Sequence, residues 1–566
     1  MQQKNWIFLN KDYEKKDILA AGQRLGVSPV IVTLLYNRGI TSDAEIQSFL
    51  SKSMQAVHNP FELPDMDKAA DRILQALSEK QKICVYGDYD VDGITATVLL
   101  YKYLLSHGAD VSYYIPDREE EGYGINIKAV NKISKTGCKL LITVDCGITA
   151  TGETELAKAQ GMDVIITDHH TCMKKIPAAT AVINPKRADS EYPFKDLAGV
   201  GVAFKTVLAL SVRLGESTKE VFYKYAPYAA IGTVADVVSL TDENRVIVDR
   251  GIKSIKSRPT PGISALLDVA GIKDLNAGSI AFGIAPRINA AGRMGSAKTA
   301  VELLMCETPA MAREIAQALD TENQRRRACE KDIFDEVEKI IQENPSVLSK
   351  PVLVIAGESW HKGVIGIVAS RLTERFYKPT VLISYDGGTG HGSCRSIEGF
   401  NITEALSFSS DLLEKYGGHA MAAGLTVKTN NIEHFKDKIN KFAKEKLTKE
   451  ILTPRLSVDL KITPSSLTEE NIRTIGNLEP FGEGNTMPVF AICGATVASC
   501  MPMGEDGAHL RLQLKKDGVK LSCVAFRMGE LYKSLPAGKT VDIAFTPEIN
   551  NFGGRQSIQL RIEDIK

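Results

Sequence analysis

Cys84-Val85-Tyr86-Gly87-Asp88-Tyr89-Asp90-Val91-Asp92-Gly93 sets three carboxylates within five residues, between an apolar strand-like run and a helix beginning near Ile94. Residues two apart in an extended segment point to the same side, so Asp90 and Asp92 can converge with Asp88 beside them. Carboxylates that close repel one another unless their charge is neutralised, and a bound divalent cation is the economical explanation. Two plainer readings compete, a solvated turn rich in Asp and Gly and a calcium loop. A loop of the EF-hand type needs ligands spread over about twelve residues ending in Glu, and the flanking helices here do not suit one.

Residues 82–238 alternate short β-branched runs with amphipathic helical stretches, with strands expected at 83–86, 111–115, 140–144, 164–167 and 181–183. That order predicts an α/β fold, a doubly wound parallel sheet. Ligands of such sheets bind beyond the carboxyl ends of the strands, where the Asp88–Asp92 loop must lie. Two further strand ends carry ligand types, Asp145 in Val144-Asp145-Cys146-Gly147 and the triplet Asp168-His169-His170. One strand-end Asp is commonly a turn or helix cap, and one His a structural residue. Three such ends sharing a crevice are harder to dismiss. Asp236, in Gly232-Thr233-Val234-Ala235-Asp236, puts an acid within an otherwise apolar helical stretch, which is expensive unless the acid is paired or coordinated.

At 566 residues the chain is too long for one core. We expect a mostly helical segment over 1–65, the parallel-sheet domain over 66–240, a helical connector over 241–346 containing a long charged helix at 321–341, a second α/β domain over 347–450, and a small β-barrel over 451–566. The barrel rests on period-two alternation, as in Leu510-Arg511-Leu512-Gln513-Leu514-Lys515, with similar patterns around Val541 and Ile558. The 69 basic and 69 acidic residues cancel, which neither supports nor excludes nucleic acid, since phosphate binding needs local patches. No segment approaches the roughly 20 continuous apolar residues of a membrane span, and residues 1–6 hold no apolar signal core. The ten cysteines are scattered, without a Cys-x-x-Cys pair. We therefore expect a reduced, cytoplasmic protein without structural zinc or disulfides, with Cys146 a packing residue.

Gly87–Gly93, Val144–Ile148, Asp168–His170 and Gly232–Asp236 resemble, in order and spacing, the four motifs of the DHH phosphoesterases, and among these the RecJ family of exonucleases. The resemblance continues through Ala285–Met294, Gly390–Ser396, Tyr416–Gly424 and Leu478–Pro488, covering about residues 60–566. It implies a DHH domain, a DHH-associated domain and an OB-like nucleic-acid-binding barrel. It implies two Mn²⁺ or Mg²⁺ ions held by Asp90, Asp92, Asp145, His169 and Asp236, with Asp145 the bridge. Asp88, Asp168 and His170 would stand behind the ligands or face the substrate as catalytic groups. Carboxylates with imidazole also suit Mn²⁺ better than zinc on chemical grounds.

For the substrate, the resemblance implies that Arg118, Ser393 and Arg395 grip a terminal 5′-phosphate while Arg287 lines a narrow hole. A small residue commonly stands in the family where this chain has Cys394. Arg293 lies in the same Gly/Ala/Asn-rich stretch as Arg287, where arginine has no evident packing duty. Gly417, Gly418 and His419 would let backbone and imidazole approach a phosphate, unless they form only a tight turn. Arg325-Arg326-Arg327 reads as a solvated helix face. Residues 511–566 hold ten basic and six acidic side chains, with Phe526, Tyr532, Phe545 and Phe552 interleaved. Such a pattern suits single strands, although many of those aromatics must be core. The activity implied is 5′→3′ hydrolysis of single-stranded DNA to 5′-mononucleotides by a monomer, with a single-strand-binding protein and a helicase as partners. Two alternatives are a DHH hydrolase of oligoribonucleotides or cyclic dinucleotides, against which the extra barrel argues, and a non-catalytic strand-binding factor, which should have lost ligands.

Overall fold

The computed structural model describes residues 4–9, 13–118, 121–122, 124–504, 506–552 and 555–566, the side chains of 551, 552 and 555 excepted. The chain divides into two compact units, one of residues 47–325 with 478–487, the other of residues 1–46, 326–477 and 488–566.

The first unit is built on a five-stranded, wholly parallel sheet in the spatial order Val111–Tyr114, Ile83–Tyr86, Leu140–Val144, Asp163–Thr167, Ala181–Ile183. The three central strands are almost entirely buried, which is why their sequences read as continuous Val/Ile/Leu runs rather than alternating ones. The chain runs outward from Ile83–Tyr86 to one edge and then returns to build the other side. The order therefore reverses between Ile83–Tyr86 and Leu140–Val144, the switch point at which an open sheet offers a crevice. The stretch expected to be a separate helical connector is not separate. Ile247, Ile263, Ile288, Val301 and Leu319 share one core with the sheet and with helices Val91–Ser106, Gly199–Arg213 and Thr218–Ala235. Inside this unit Lys205 is fully buried, its ammonium 2.8 Å from Glu243, whose other oxygen accepts from the Tyr192 hydroxyl. Removing one member would leave a buried charge alone, a loss of about 3–5 kcal/mol.

The long charged helix is longer than expected, Pro309–Glu343, with Pro309 in its first turn, where a missing N–H does no harm. The boundary between the units falls within it. Arg326 corrects the reading of the arginine triplet as a solvated face. It is buried and 3.0 Å from Glu330, which also meets Arg371 at 2.9 Å.

The second unit holds a mixed sheet in the order Leu413–Gly418, Ala422–Lys428, Thr389–Arg395, Thr380–Asp386, Leu353–Glu358. Only the last pair is parallel. It also holds the barrel, in which strands Phe490–Met503, His509–Lys516, Val519–Ala525, Arg555–Ile565 and Thr540–Phe552 pair in turn and the last returns to the first. The N-terminal segment is not purely helical. Asn5–Phe8 pairs in parallel with Arg455–Val458, and Trp6 donates its indole N–H to Asp564 at 2.7 Å.

Candidate metal centre

Each acid of the crevice is placed by a strand end or a helix end. Asp88 follows strand Ile83–Tyr86, and Asp90 caps helix Val91–Ser106 by accepting from the Gly93 N–H at 3.0 Å. Asp92 sits in the first turn of that helix, and its two oxygens accept from Gly199 N at 2.7 Å and Val200 N at 2.8 Å, the first residues of helix Gly199–Arg213. Asp145 leaves strand Leu140–Val144 with φ 60°, a left-handed conformation that Asp tolerates better than most residues. Asp236 is not inside its helix as the sequence suggested. It ends Thr218–Ala235 as the capping residue, and Val237 after it has φ 61°. A β-branched residue held there is strained, and such strain is typical of functional sites.

These elements bring the side chains together. His169 Nε2 lies 3.2 Å from Asp145 Oδ1, 3.6 Å from Asp236 Oδ2 and 4.0 Å from Asp92 Oδ2. Three sets of donors each lie within 4.8 Å of one another: Asp145 with His169 and His170, Asp92 with His169 and Asp236, and Asp88 with Asp90 and Asp145. Asp145 and His169 each belong to two sets, and Asp88, expected behind the ligands, joins the donors. Asp168 stands behind them. Its carboxylate accepts from His170 Nδ1 at 2.7 Å, His169 N at 2.7 Å, His170 N at 3.1 Å and Ile148 N at 2.8 Å.

The electrostatics describe a site that needs cations. Burial, then the neighbouring Asp90, pushes Asp88 up to about 8 and Asp236 up to about 7. Burial with the surrounding carboxylates lifts Asp92 and Asp145 well above the usual range. Burial, then His170, pushes His169 down to about 3, which keeps its imidazole neutral and able to coordinate. Asp168 is also buried, yet the bonds from His170 and the backbone hold it below the ordinary carboxylate range. Asp88 Oδ1, His169 Nε2 and Asp236 Oδ2 are buried without a hydrogen-bond partner among the described residues. Converging carboxylates with neutral imidazole, carrying orphaned buried atoms, fit divalent Mn²⁺ or Mg²⁺.

Two features escaped the sequence reading. A Cβ on Gly199 would lie 2.3 Å from Asp145 Oδ1, and one on Gly232 would lie 2.9 Å from Asp92 Oδ1 and 2.3 Å from Thr95 Oγ1. Both positions must therefore be glycine for the acids to sit where they do. The doublet Gly199-Val200-Gly201 at a helix start was the available signal. Asn184, at the end of the fifth strand, donates to the His170 carbonyl at 2.9 Å, and nothing in its local sequence distinguishes it.

The expected substrate residues fall in both units. Arg118 stacks over the Tyr89 ring at 5.3 Å, and the charge of Arg293 acts on the same phenol. Arg287 has partners within its own unit. Its guanidinium is nearly buried, donating to the Gly283 carbonyl at 2.7 Å and lying 2.8 Å from Asp320, so it ties its helix to the long one. In the second unit, Arg395 reaches the Ser370 hydroxyl at 3.0 Å and the Ser393 hydroxyl at 3.3 Å, while Cys394 points into the sheet core. Gly417, Gly418 and His419 lie exposed at the end of an edge strand and its turn. In the barrel, Phe545 is core, Phe526 and Tyr532 are exposed, and the Phe552 side chain is outside the described residues.

Family models agree with this layout: the DHH family N-terminal domain matches residues 82–233, the DHHA1 domain 346–445 and the RecJ OB domain 458–564. The chain is similar to the single-stranded-DNA-specific exonuclease RecJ of Bacillus subtilis, 38% identical over 99% of this chain and 70% of that protein. It is 32% identical to that of Escherichia coli, over 95% of this chain and 96% of the other. Among solved structures, RecJ from Thermus thermophilus in complex with Mn²⁺ superposes with a TM-score of 0.85 at 31% identity, covering 99% of this chain and 79% of that one. Exonuclease RecJ bound to manganese gives 0.60 at 36% identity, over 68% of this chain and 95% of the other. Among the described residues no single helix is long and apolar enough to cross a membrane. With its acidic crevice intact and its likeness to these proteins running nearly end to end, the chain belongs to the RecJ family of single-stranded-DNA-specific exonucleases.

Proposed function

We propose that this chain removes 5′-mononucleotides from the 5′ end of single-stranded DNA, as a monomer in DNA repair and recombination, with two Mn²⁺ or Mg²⁺ held by Asp90, Asp92, Asp145, His169 and Asp236. The observation that carries the reading is the overlap of three donor sets through Asp145 and His169 at one switch point. Bound there, such a pair of ions lowers the pKa of an attacking water and stabilises the attacking and leaving oxygens. The protein's own part is positioning. The N–H groups of Gly199 and Val200 fix both oxygens of Asp92, leaving it one orientation toward the crevice. Asp168 fixes the tautomer and ring of His170, whose other nitrogen is left to face the substrate.

Arg118, Arg293, Ser393, Arg395 and the Gly417-Gly418-His419 turn supply charge and hydroxyls suited to phosphate oxygens. The barrel supplies exposed aromatics among basic side chains for the trailing strand. A single-stranded substrate calls for a helicase to expose it and a single-strand-binding protein to keep it open. The test is a time course with Mn²⁺ on 3′-labelled oligonucleotides, single-stranded and blunt duplex. A ladder shrinking from the 5′ end of the single strand alone is expected. Cleavage confined to di- and trinucleotides would refute the strand-degrading reading.

A further inference from the structure

Two backbone N–H groups hold the carboxylate of Asp92, but Asp236 Oδ2 is buried without a hydrogen-bond partner among the described residues. The aim of Asp236 therefore depends on its backbone. It closes helix Thr218–Ala235, and the chain then turns through Val237 at φ 61°. A β-branched residue persists in that conformation only where its surroundings over-determine it. Val237 is 65% exposed, so packing of its own side chain does not hold it there. The grip lies two and three residues further on.

Residues 478–487 belong to the first unit, although the chain on either side of them belongs to the second. There the loop meets Ser239 and Leu240. The Leu240 N–H donates to the Glu483 carbonyl at 2.7 Å. A Cβ on Gly484, whose φ is 69°, would lie 2.2 Å from Ser239 Oγ, and one on Gly482 2.6 Å from Leu240 Cδ1. The loop backbone thus lies directly against both residues. It is closed from within by Asn485, fully buried, whose Nδ2 donates to the carbonyls of Leu478 at 2.8 Å and Pro480 at 2.7 Å. Buried Arg245 donates to the same Leu478 carbonyl at 2.7 Å. From helix Asp242–Ser257, Asn244 donates to the Ser239 carbonyl at 3.0 Å. Loop and helix together pin the chain just past Asp236.

We propose that the 478–487 loop is a clasp that positions Asp236 for metal, with Gly484 and Asn485 as positioning residues. By fixing Ser239 and Leu240 it keeps Val237 left-handed, and so keeps Asp236 Oδ2 turned toward His169, 3.6 Å away. The inference rests on the reading of Asp236 as a metal ligand. Asp236 belongs to one of the three donor sets, with Asp92 and His169. Slackening the clasp therefore disturbs one ion and spares the other.

The test uses full-length Asn485→Ala and Gly484→Ala, the second at an exposed position, with folding checked by thermal melting. Mn²⁺ binding is measured by calorimetry. Each variant is expected to bind one of two ions about tenfold more weakly and the other as the wild type does. In hydrolysis, kcat falls at limiting Mn²⁺ and returns with excess Mn²⁺, while KM for the oligonucleotide stays unchanged. Asn accepts the left-handed conformation more readily than Val, so adding Val237→Asn to either variant should restore most of the lost affinity. Unchanged affinity for both ions in the folded variants overturns the proposal. So does equal weakening of both ions, or a lowered melting temperature with a loss that Val237→Asn does not recover, since a loop that only supports the fold would behave in that way. Asp236→Asn tests the underlying reading separately. If it binds two Mn²⁺ as tightly as the wild type, Asp236 is not a ligand, and the clasp falls with that assignment rather than on its own geometry.

Discussion

Under the proposed function, the acidic crevice and the C-terminal barrel hold parts of one polyanion by opposite strategies. In the crevice, seven acidic and imidazole side chains from four segments form three overlapping donor sets, the atoms of each within 4.8 Å of one another. In the barrel, Arg511, Lys515 and Lys520 lie exposed along adjacent strands, and His509 meets Phe526 edge-on at 5.4 Å. Chemistry at one phosphorus atom requires convergence on a point, so one displaced group ruins it. Holding a flexible strand requires only a distributed field and stacking faces, so each group matters little.

The largest effect should therefore come from a crevice change that spares the backbone. Asn tolerates the left-handed conformation of residue 145 as well as Asp does. Asp145→Asn should thus keep the thermal melting curve while hydrolysis falls to background in a Mn²⁺ assay. Retention of even a tenth of the wild-type rate would mean that Asp145 is not shared between two metal positions. Gly199→Ala should come next, with about a hundredfold loss of rate. Its methyl cannot enter without displacing the Asp145 carboxylate, 2.3 Å away. A crystal structure or metal-binding titration of the variant would show whether the loss follows the acid's position.

Asp168→Asn should cost less, about 10- to 100-fold. Asp168 meets four donors and no acceptor. An amide in its place turns one –NH₂ toward N–H groups and loosens the His170 ring. The expected signature is a lower rate together with a changed pH profile, since the bond to Asp168 is what raises the His170 pKa against the opposing effect of burial. The rise means that the His170 charge is retained to higher pH in the wild type, so the variant's imidazole should lose its proton at lower pH.

The same contrast explains what was legible in the sequence. The crevice residues sit at strand ends and helix caps, whose positions follow from hydrophobic periodicity, and the ligand residue types are uncommon there. Hence Asp88, Asp90, Asp92, Asp145, Asp168, His169, His170 and Asp236 could be singled out as candidates, and the parallel sheet with them, while the choice of five ligands among them came from the family resemblance. Gly199 and Asn184 were missed because their duty is to touch another segment, which no local pattern records. The partner of Arg287 was hidden for a related reason. An arginine in a Gly/Ala-rich run looks idle until Asp320, thirty-three residues later, is seen beside it. Asn5–Phe8 was absorbed into a helical segment because a four-residue strand pairing with residues 455–458 carries almost no periodicity of its own.

The barrel should yield the smallest single effects and the clearest salt dependence. Arg511 is exposed on a strand whose alternate residues, Leu510, Leu512 and Leu514, are buried, so replacing it leaves the core untouched. For single strands the logarithm of affinity falls with that of salt by about 0.7 per phosphate contact. Arg511→Gln should therefore flatten the slope by about that amount and weaken binding only a few-fold at moderate salt. Phe526→Ala, by contrast, should remove stacking worth about 1–3 kcal/mol and leave the slope unchanged. Both variants are to be measured by fluorescence anisotropy on a labelled oligonucleotide at several salt concentrations, with cleavage prevented by Asp145→Asn. If Arg511→Gln changes affinity without changing the slope, the barrel face does not work through phosphates, and distributed charge would have to be sought elsewhere in the second unit.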